Sequence, residues 1–376
     1  MQEIRHTLTM LPIHVINARA DKESSVNIGE ELESLITTLG GIIADRIIQK
    51  MDRPNPVTYI GKGKIEEVAE KIKEKDIDVV VLNAMVLPRQ VHALKTKLQK
   101  TKPDIQVWDR VDLILRIFDK HAATTEAKLQ IELARMNYMG PRIYGMGYVL
   151  SRQGGGIGGI GVGETNTELM KRHWRDEKKK ILDQLAKISI SHRQQLERRK
   201  RAGFKTVSIV GYTNAGKSSL FNLLTKKNVL EKDVLFATLD SSVGNIYLEA
   251  LHSEVLITDT IGFIRDLPPL LISAFKSTLM ESIHADVLFH VIDISDPEMD
   301  EKINVVNKIL RGLGRNTDEV IYIFNKTDKV PDVNKAMILE RYKMFSPLFI
   351  SVRKEEGIEA VKACIVDTLS AIKADT

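Results

Sequence analysis

Residues 207–224 read VSIVGYTNAGKSSLFNLL. The apolar start predicts a buried strand, and SSLFNLL predicts an amphipathic helix. Between them, residues 211–218 match the pattern G-x-x-x-x-G-K-[ST]. The glycines let backbone N–H groups wrap phosphate oxygens, and the helix N-terminus adds a favourable dipole. Lys217 is expected to reach the β- and γ-phosphates and Ser218 to ligate magnesium. The expected contact set runs through Gly211, Tyr212, Thr213, Asn214, Ala215, Gly216, Lys217, Ser218 and Ser219. Asn214 has two readings: a ligand of a monovalent cation, potassium, beside the phosphates, or a residue that shapes the loop by a hydrogen bond.

Downstream, VLITDTIGF ends a strand pattern at Asp259, 42 residues after Lys217. Its carboxylate can hold magnesium through water, and the N–H of Gly262 can face the γ-phosphate. Next comes IYIFNKTD, with Asn325, Lys326 and Asp328 at a strand end. A carboxylate accepts two hydrogen bonds from the N1–H and amino group of guanine, a donor pair that adenine lacks. Asp328 therefore selects GTP and GDP over adenine nucleotides, with Asn325 and the stem of Lys326 bracing base and phosphate loop. Ser351, followed by Val352 in FISVRKEEGI, is placed to offer a backbone N–H to guanine O6. Between the first two motifs, FATLDSSVG supplies Phe236 as a contact and Thr238 as the switch hydroxyl that binds magnesium when the γ-phosphate is present. The expected catalytic set is Lys217, Thr238 and Gly262. Phe263 stands where Ras-like enzymes carry a water-orienting Gln, so slow intrinsic hydrolysis is expected.

From residue 204 onward, strand patterns recur at 206–210, 254–258, 287–293, 320–324 and 348–350, each followed by a helical stretch, with a last helix at 357–373. That alternation predicts a doubly wound α/β domain over 204–376, with no further domain after it. Residues 1–115 alternate HVINA, GGIIAD, VTYIG, DVVVLNA and IQVWD with helical patterns near 27–39, 63–75 and 88–100, which predicts a second α/β domain with a parallel sheet. YIGKGKIEEV puts two glycines and two lysines after a strand pattern, either as a phosphate contact or as a plain turn into a helix.

Between them, residues 116–203 lose the strand signal. Ala122, Leu129, Leu133 and Met136 give one helical face, which Gly140 and Pro141 are expected to end. Residues 145–163 hold nine glycines, which predicts a mobile loop. Thr165 and Glu168, at capping-box spacing, start a second helix whose apolar face is Trp174, Ile181, Leu185 and Ile188. Its other faces carry Lys171, Arg172, Arg175, Lys178, Lys179, Lys180, Arg193, Arg198, Arg199, Lys200 and Arg201. Two helices joined by a loop suggest an antiparallel hairpin.

The charge distribution supports a polyanionic partner for this hairpin. The chain has 376 residues and a net charge of +5, yet residues 116–205 hold 19 Lys/Arg against 9 Asp/Glu, a local +10 that leaves −5 for the rest. No apolar run approaches the ~18 residues a spanning helix needs, and the N-terminus lacks a signal-peptide layout. The single cysteine, Cys364, excludes an internal disulfide, suits a reducing cytoplasm and reads as a buried core thiol.

GYTNAGKSSLFN, FATLD, DTIGFIRDLP and NKTD, in this order, resemble the HflX family of translational GTPases, kin of the Obg family. The resemblance extends upstream through YIGKGKIEEV, DRVDLILRIFDKHAATTEAKLQIELA, RQGGGIGGIGVGET and the basic helix. It implies an N-terminal α/β domain, a helical hairpin and a C-terminal P-loop GTPase domain. It also implies binding to the large ribosomal subunit and its rRNA, and in some members separation of the subunits; the chain is expected to be cytoplasmic and monomeric when free. Two departures stand out. Ser241-Ser242-Val243-Gly244 follow FATLD where the family often has a Pro and two Thr, and the glycine-rich loop ends GVGETN rather than GPGETQ. Other readings are a nucleotide-gated RNA-binding or ribosome-assembly scaffold, and a GTPase held peripherally at a membrane by the basic helix, without stable insertion.

Overall fold

The computed structural model describes residues 7–17, 24–153, 166–227, 242–265, 271, 279, 283–330 and 332–374. The chain divides into two compact units, one of Met1–Lys120 with Ile131–Leu182, the other of His121–Gln130 with Asp183–Thr376.

In the first unit, β1 (Thr9–Asn17), α1 (Ser24–Leu39), β2 (Ile42–Ile43), β3 (Ile47–Met51), α2 (Lys62–Lys75), β4 (Val79–Leu82), α3 (Pro88–Leu98), β5 (Gln106–Asp109) and α4 (Arg110–His121) follow one another. All strand pairs are parallel, in the order β2-β1-β4-β5, with β3 also beside β1. β4 is buried throughout, as a parallel strand covered on both faces must be. Leu11, Ile13, Val80, Leu82, Val68, Ile72 and Leu94 form its core. α4 runs without a break across residues 115 and 116.

One expectation fails here, and one strand was not expected. VTYIG is not a strand: Asn55 Oδ1 accepts the N–H groups of Val57 and Thr58, and Tyr59 takes a positive φ of 66°. This side chain closes a turn with its own backbone, which competes with a sheet ladder. β1 pairs instead with β3, in IIQKM, which the sequence reading passed over.

α5 spans Thr125–Gln153 and α6 spans Asn166–Arg201. Gly140-Pro141 does not end α5. Proline disfavours helix at the preceding residue partly through that residue's Cβ, and Gly140 has none. Residues 145–153 of the expected loop are likewise helical. Gly145 and Gly147 are isolated glycines, each costing ~1 kcal/mol, which a helix tolerates; residues 154–163 and Thr165 lie outside the described residues. The buried stripe of α5 is Ala127, Ile131 and Ala134 with Met136, whereas Leu129 and Leu133 are half-buried. On α6, Ile181 is buried and Trp174, Leu185 and Ile188 are half-buried, so that face is as expected. His192 of α6 meets Glu126 in the first turn of α5 at 3.5 Å.

The second unit carries a six-stranded sheet in the order β11-β10-β9-β6-β8-β7. Its strands are β6 (Lys205–Gly211), β7 (Ser242–Leu248), β8 (Ser253–Asp259), β9 (Val287–Asp293), β10 (Ile321–Asn325) and β11 (Leu348–Phe349). α7 (Lys217–Thr225), α8 (Met299–Gly312), α9 (Asp332–Arg341) and α10 (Ile358–Ala374) are its described helices after α6. Among the described residues only β7 is antiparallel; it forms a hairpin with β8. Its first three residues were read as the end of the switch segment FATLDSSVG, and NIYL was not read at all. Val207, Ile209, Phe221, Phe289, Val291 and Val361 lie in the core, and Cys364 packs against it half-buried rather than buried. β6 sits in the middle of this sheet, so its carboxyl end delivers Gly211 to the edge where the strand order reverses.

Candidate nucleotide site

The phosphate loop leaves β6 at Gly211 and enters α7 at Lys217. At Gly216, φ is +96°, and a Cβ there would lie 2.2 Å from Asn325 Nδ2. Both the left-handed backbone and this close approach demand glycine. In exchange, Asn325 Nδ2 donates to the carbonyl of Ala215 at 2.9 Å, while its Oδ1 accepts the N–H of Val352 at 3.1 Å. Lys326 Nζ donates to the carbonyl of Asn214 at 2.8 Å. Residues 325 and 326 thus tie the phosphate loop to the carboxyl ends of β10 and β11. Asn214 is exposed with a positive φ of 62°, so its loop-shaping group is its backbone carbonyl.

Lys217 is 6% exposed and donates to the carbonyl of Tyr212 at 2.9 Å. Burial lowers its pKa to about 8, against the opposing pull of the Asp259 carboxylate. Ser218 Oγ donates to Asp259 Oδ2 at 2.6 Å, so a hydroxyl and a carboxylate meet at the start of α7. Ser219 follows in the first turn of that helix.

Gly262 is pressed against the loop. A Cβ there would lie 2.6 Å from Thr213 Cγ2 and 3.0 Å from Lys217 Nζ. Next to it, Phe263 is fully buried. Its N–H donates to the carbonyl of Gly211 at 3.1 Å, and its own carbonyl accepts the N–H of Thr213 at 2.8 Å. Two residues on, the N–H of Arg265 donates to the hydroxyl of Tyr212, and the Arg265 guanidinium pairs with Glu298 at 3.4 Å and with Glu301. The sequence reading missed this seam; the aromatic residues at 212 and 263 were its signal.

Asp328 Oδ1 accepts a hydrogen bond from Ser351 Oγ at 2.7 Å, which holds the carboxyl below the usual carboxylate range. Ser351 differs from expectation. Its N–H is donated to the carbonyl of Glu356 at 3.1 Å, inside a short bridge, so that group is not turned to a base; its hydroxyl steadies Asp328 instead. Phe236 and Thr238 lie outside the described residues. A further residue missed is Asp293, at the end of β9, which pairs with Lys326 at 2.7 Å. No group of three or more His, Cys, Asp or Glu able to hold a metal occurs among the described residues, and Ser218 with Asp259 is the donor set at the loop.

Comparison with known proteins is consistent along the chain. Three family models match in succession: GTP-binding GTPase N-terminal at residues 27–119, GTP-binding GTPase Middle Region at 121–201, and 50S ribosome-binding GTPase at 206–326. GTPase HflX of Alkalihalophilus pseudofirmus is 40% identical over 95% of this chain and 84% of its own length. The chain belongs to the HflX family of GTPases. GTPase HflX of Escherichia coli K12 is 35% identical over 91% of this chain and 79% of its own. Among solved structures, the SsGBP and GDP complex covers 98% of this chain and 99% of its own, at 26% identity and a TM-score of 0.54. As an HflX GTPase, the chain binds guanine nucleotide and hydrolyses GTP. No helix among the described residues is long and apolar enough to cross a membrane.

Proposed function

We propose that this HflX GTPase is a cytoplasmic, GTP-gated factor of the large ribosomal subunit, monomeric when free, which docks on ribosomal RNA through α6. The observation that carries this reading is the basic surface of α6: Lys171, Arg172, Arg175, Lys179, Lys180, Arg193, Arg198 and Arg201 are exposed, and Lys178 is half-buried. A long basic face of this kind suits folded RNA, whose backbone is read by shape and charge. The relatives' 50S ribosome-binding family model, over residues 206–326, supports the same partner.

Within the site, residues 211–219 cradle the phosphates, Lys217 places its charge on the β/γ-phosphates, Gly262 offers its N–H to the γ-phosphate, and Asp328 reads guanine. Ser218 and Asp259 supply hard oxygen donors that fit magnesium, joined by Thr238 in the triphosphate state. Bound there, the ion would neutralise phosphate charge. Asn214 is proposed as a ligand of potassium beside the phosphates: replacing potassium by sodium should slow turnover in the wild type and hardly in Asn214→Ala, and equal rates in both salts discard this reading.

Changing Lys178, Lys179 and Lys180 together to Glu tests the docking. GTP affinity should stay intact while co-sedimentation with the large subunit and ribosome-stimulated hydrolysis fall. A triple variant that still pellets with the subunit at moderate salt, and is still stimulated, removes α6 as the docking surface.

A further inference from the structure

The lysine at 326 has an unusual task. Its backbone takes φ +64°, a left-handed conformation rare for a residue with a side chain. From there its Nζ reaches back 112 residues in sequence to the carbonyl of Asn214. A four-carbon stem has several rotatable bonds, and holding it in one place costs rotamer entropy. A single neutral carbonyl also leaves the ammonium charge without a counter-charge.

Asp293 closes the gap. It ends β9 directly opposite Asn325 in the parallel register, and the N–H of Ile294 donates to the carbonyl of Asn325 at 3.1 Å. The neighbouring strand end therefore holds its carboxylate beside residue 326. Oδ1 is occupied: it accepts the N–H of Ser295 at 3.0 Å and the Ser295 hydroxyl at 2.6 Å. That fixes the carboxylate plane and leaves Oδ2 for Lys326 Nζ at 2.7 Å. Both side chains are only about one-fifth exposed, at 22% and 20%, so solvent screens the pair incompletely.

We propose that Asp293 is a positioning residue for nucleotide binding, acting through Lys326. It holds the lysine stem across the gap between the base-reading segment 325–328 and the phosphate loop. It also occupies the ammonium charge, so that the lysine stays on the Asn214 carbonyl instead of swinging towards phosphate oxygens. The proposal rests on reading 325–328 as the guanine site.

The test is a double-mutant cycle read in nucleotide dissociation constants. Asp293→Asn should weaken GDP and GTP by the same factor, roughly tenfold, through faster release, while single-turnover hydrolysis at saturating GTP changes less than about twofold. In a Lys326→Met background, Asp293→Asn should add almost nothing. Ser295→Ala, which loosens the strand end but keeps both charges, should cost much less than Asp293→Asn. Asp293→Ser takes the place of Asp293→Asn in the cycle if the latter does not fold. Equal effects of the Asp293 change with and without the lysine, or a loss of kcat with unchanged affinity, overturn the proposal. The base-site reading fails separately: Asp328→Asn would then keep its guanine preference whatever happens at Asp293.

Discussion

Thr213 and Phe263 are joined backbone to backbone: the N–H of Thr213 donates to the Phe263 carbonyl at 2.8 Å, and the Phe263 N–H returns to the Gly211 carbonyl at 3.1 Å. The residue that occupies the water-orienting position of Ras-like enzymes is thus part of the core, with its ring fully buried.

Phe263→Ala should therefore act mainly on stability. Removing a buried phenyl ring costs about 3–5 kcal/mol. Denaturant unfolding should show that loss, while intrinsic GTP hydrolysis per folded molecule changes little, because the ring supplies neither proton nor charge. A large fall in hydrolysis with unchanged unfolding would give Phe263 a direct catalytic role instead.

Lys217 makes nucleotide binding pH-linked. Burial lowers its pKa to about 8, below the ordinary lysine value, so the folded apo protein sheds this proton before the unfolded chain does. The sign follows: below pH 8 the buried charge costs stability, and that cost is relieved as pH rises from about 8 towards the unfolded value. Phosphate oxygens reverse the preference by stabilising the ammonium. GDP binding should take up protons at pH 8.5, and the uptake should fall towards pH 7.5, where the nucleotide phosphate is still ionised. Calorimetry in buffers of different ionisation enthalpy measures it; equal uptake at both pH values would mean that Lys217 stays charged without nucleotide. Lys217→Ala should abolish hydrolysis.

Asp328→Asn removes the acceptor for the guanine N1–H and amino pair. GTP should bind at least ~100-fold more weakly, and xanthosine nucleotides should gain, since a site that leaves buried polar partners unpaired discriminates strongly. Competition binding of GTP against xanthosine triphosphate reads this directly. Normal GTP affinity would mean that another residue reads the base.

Much of this was legible because glycine, lysine and carboxylate positions at strand ends have little freedom. Residues 211–218, Asp259 and Asn325 each fell at the carboxyl end of a strand in the structure. What was not legible depended on partners distant in sequence. IIQKM became β3 because β1 lies beside it, and VTYIG lost its strand to the Asn55 side chain. The helix runs on through Gly140-Pro141 although a proline there removes an i→i−4 hydrogen bond, so the breaker rule misled. Asp293 gave only a carboxylate at the end of an apolar run; its meaning came with Lys326 from the adjoining strand. The N–H of Ser351 was spoken for by Glu356, which no motif spacing reveals.

Arg265 is anchored at both ends: its backbone N–H to the Tyr212 hydroxyl, its guanidinium to Glu298 and Glu301 at the start of α8. Only two residues of chain, Phe263 and Ile264, separate Gly262, pressed on the phosphate loop, from that arginine. A shift of Gly262 by even an ångström must be absorbed within this short tether or passed to the helix. The lever arm between what the phosphate loop senses and what α8 presents to the outside is therefore very short.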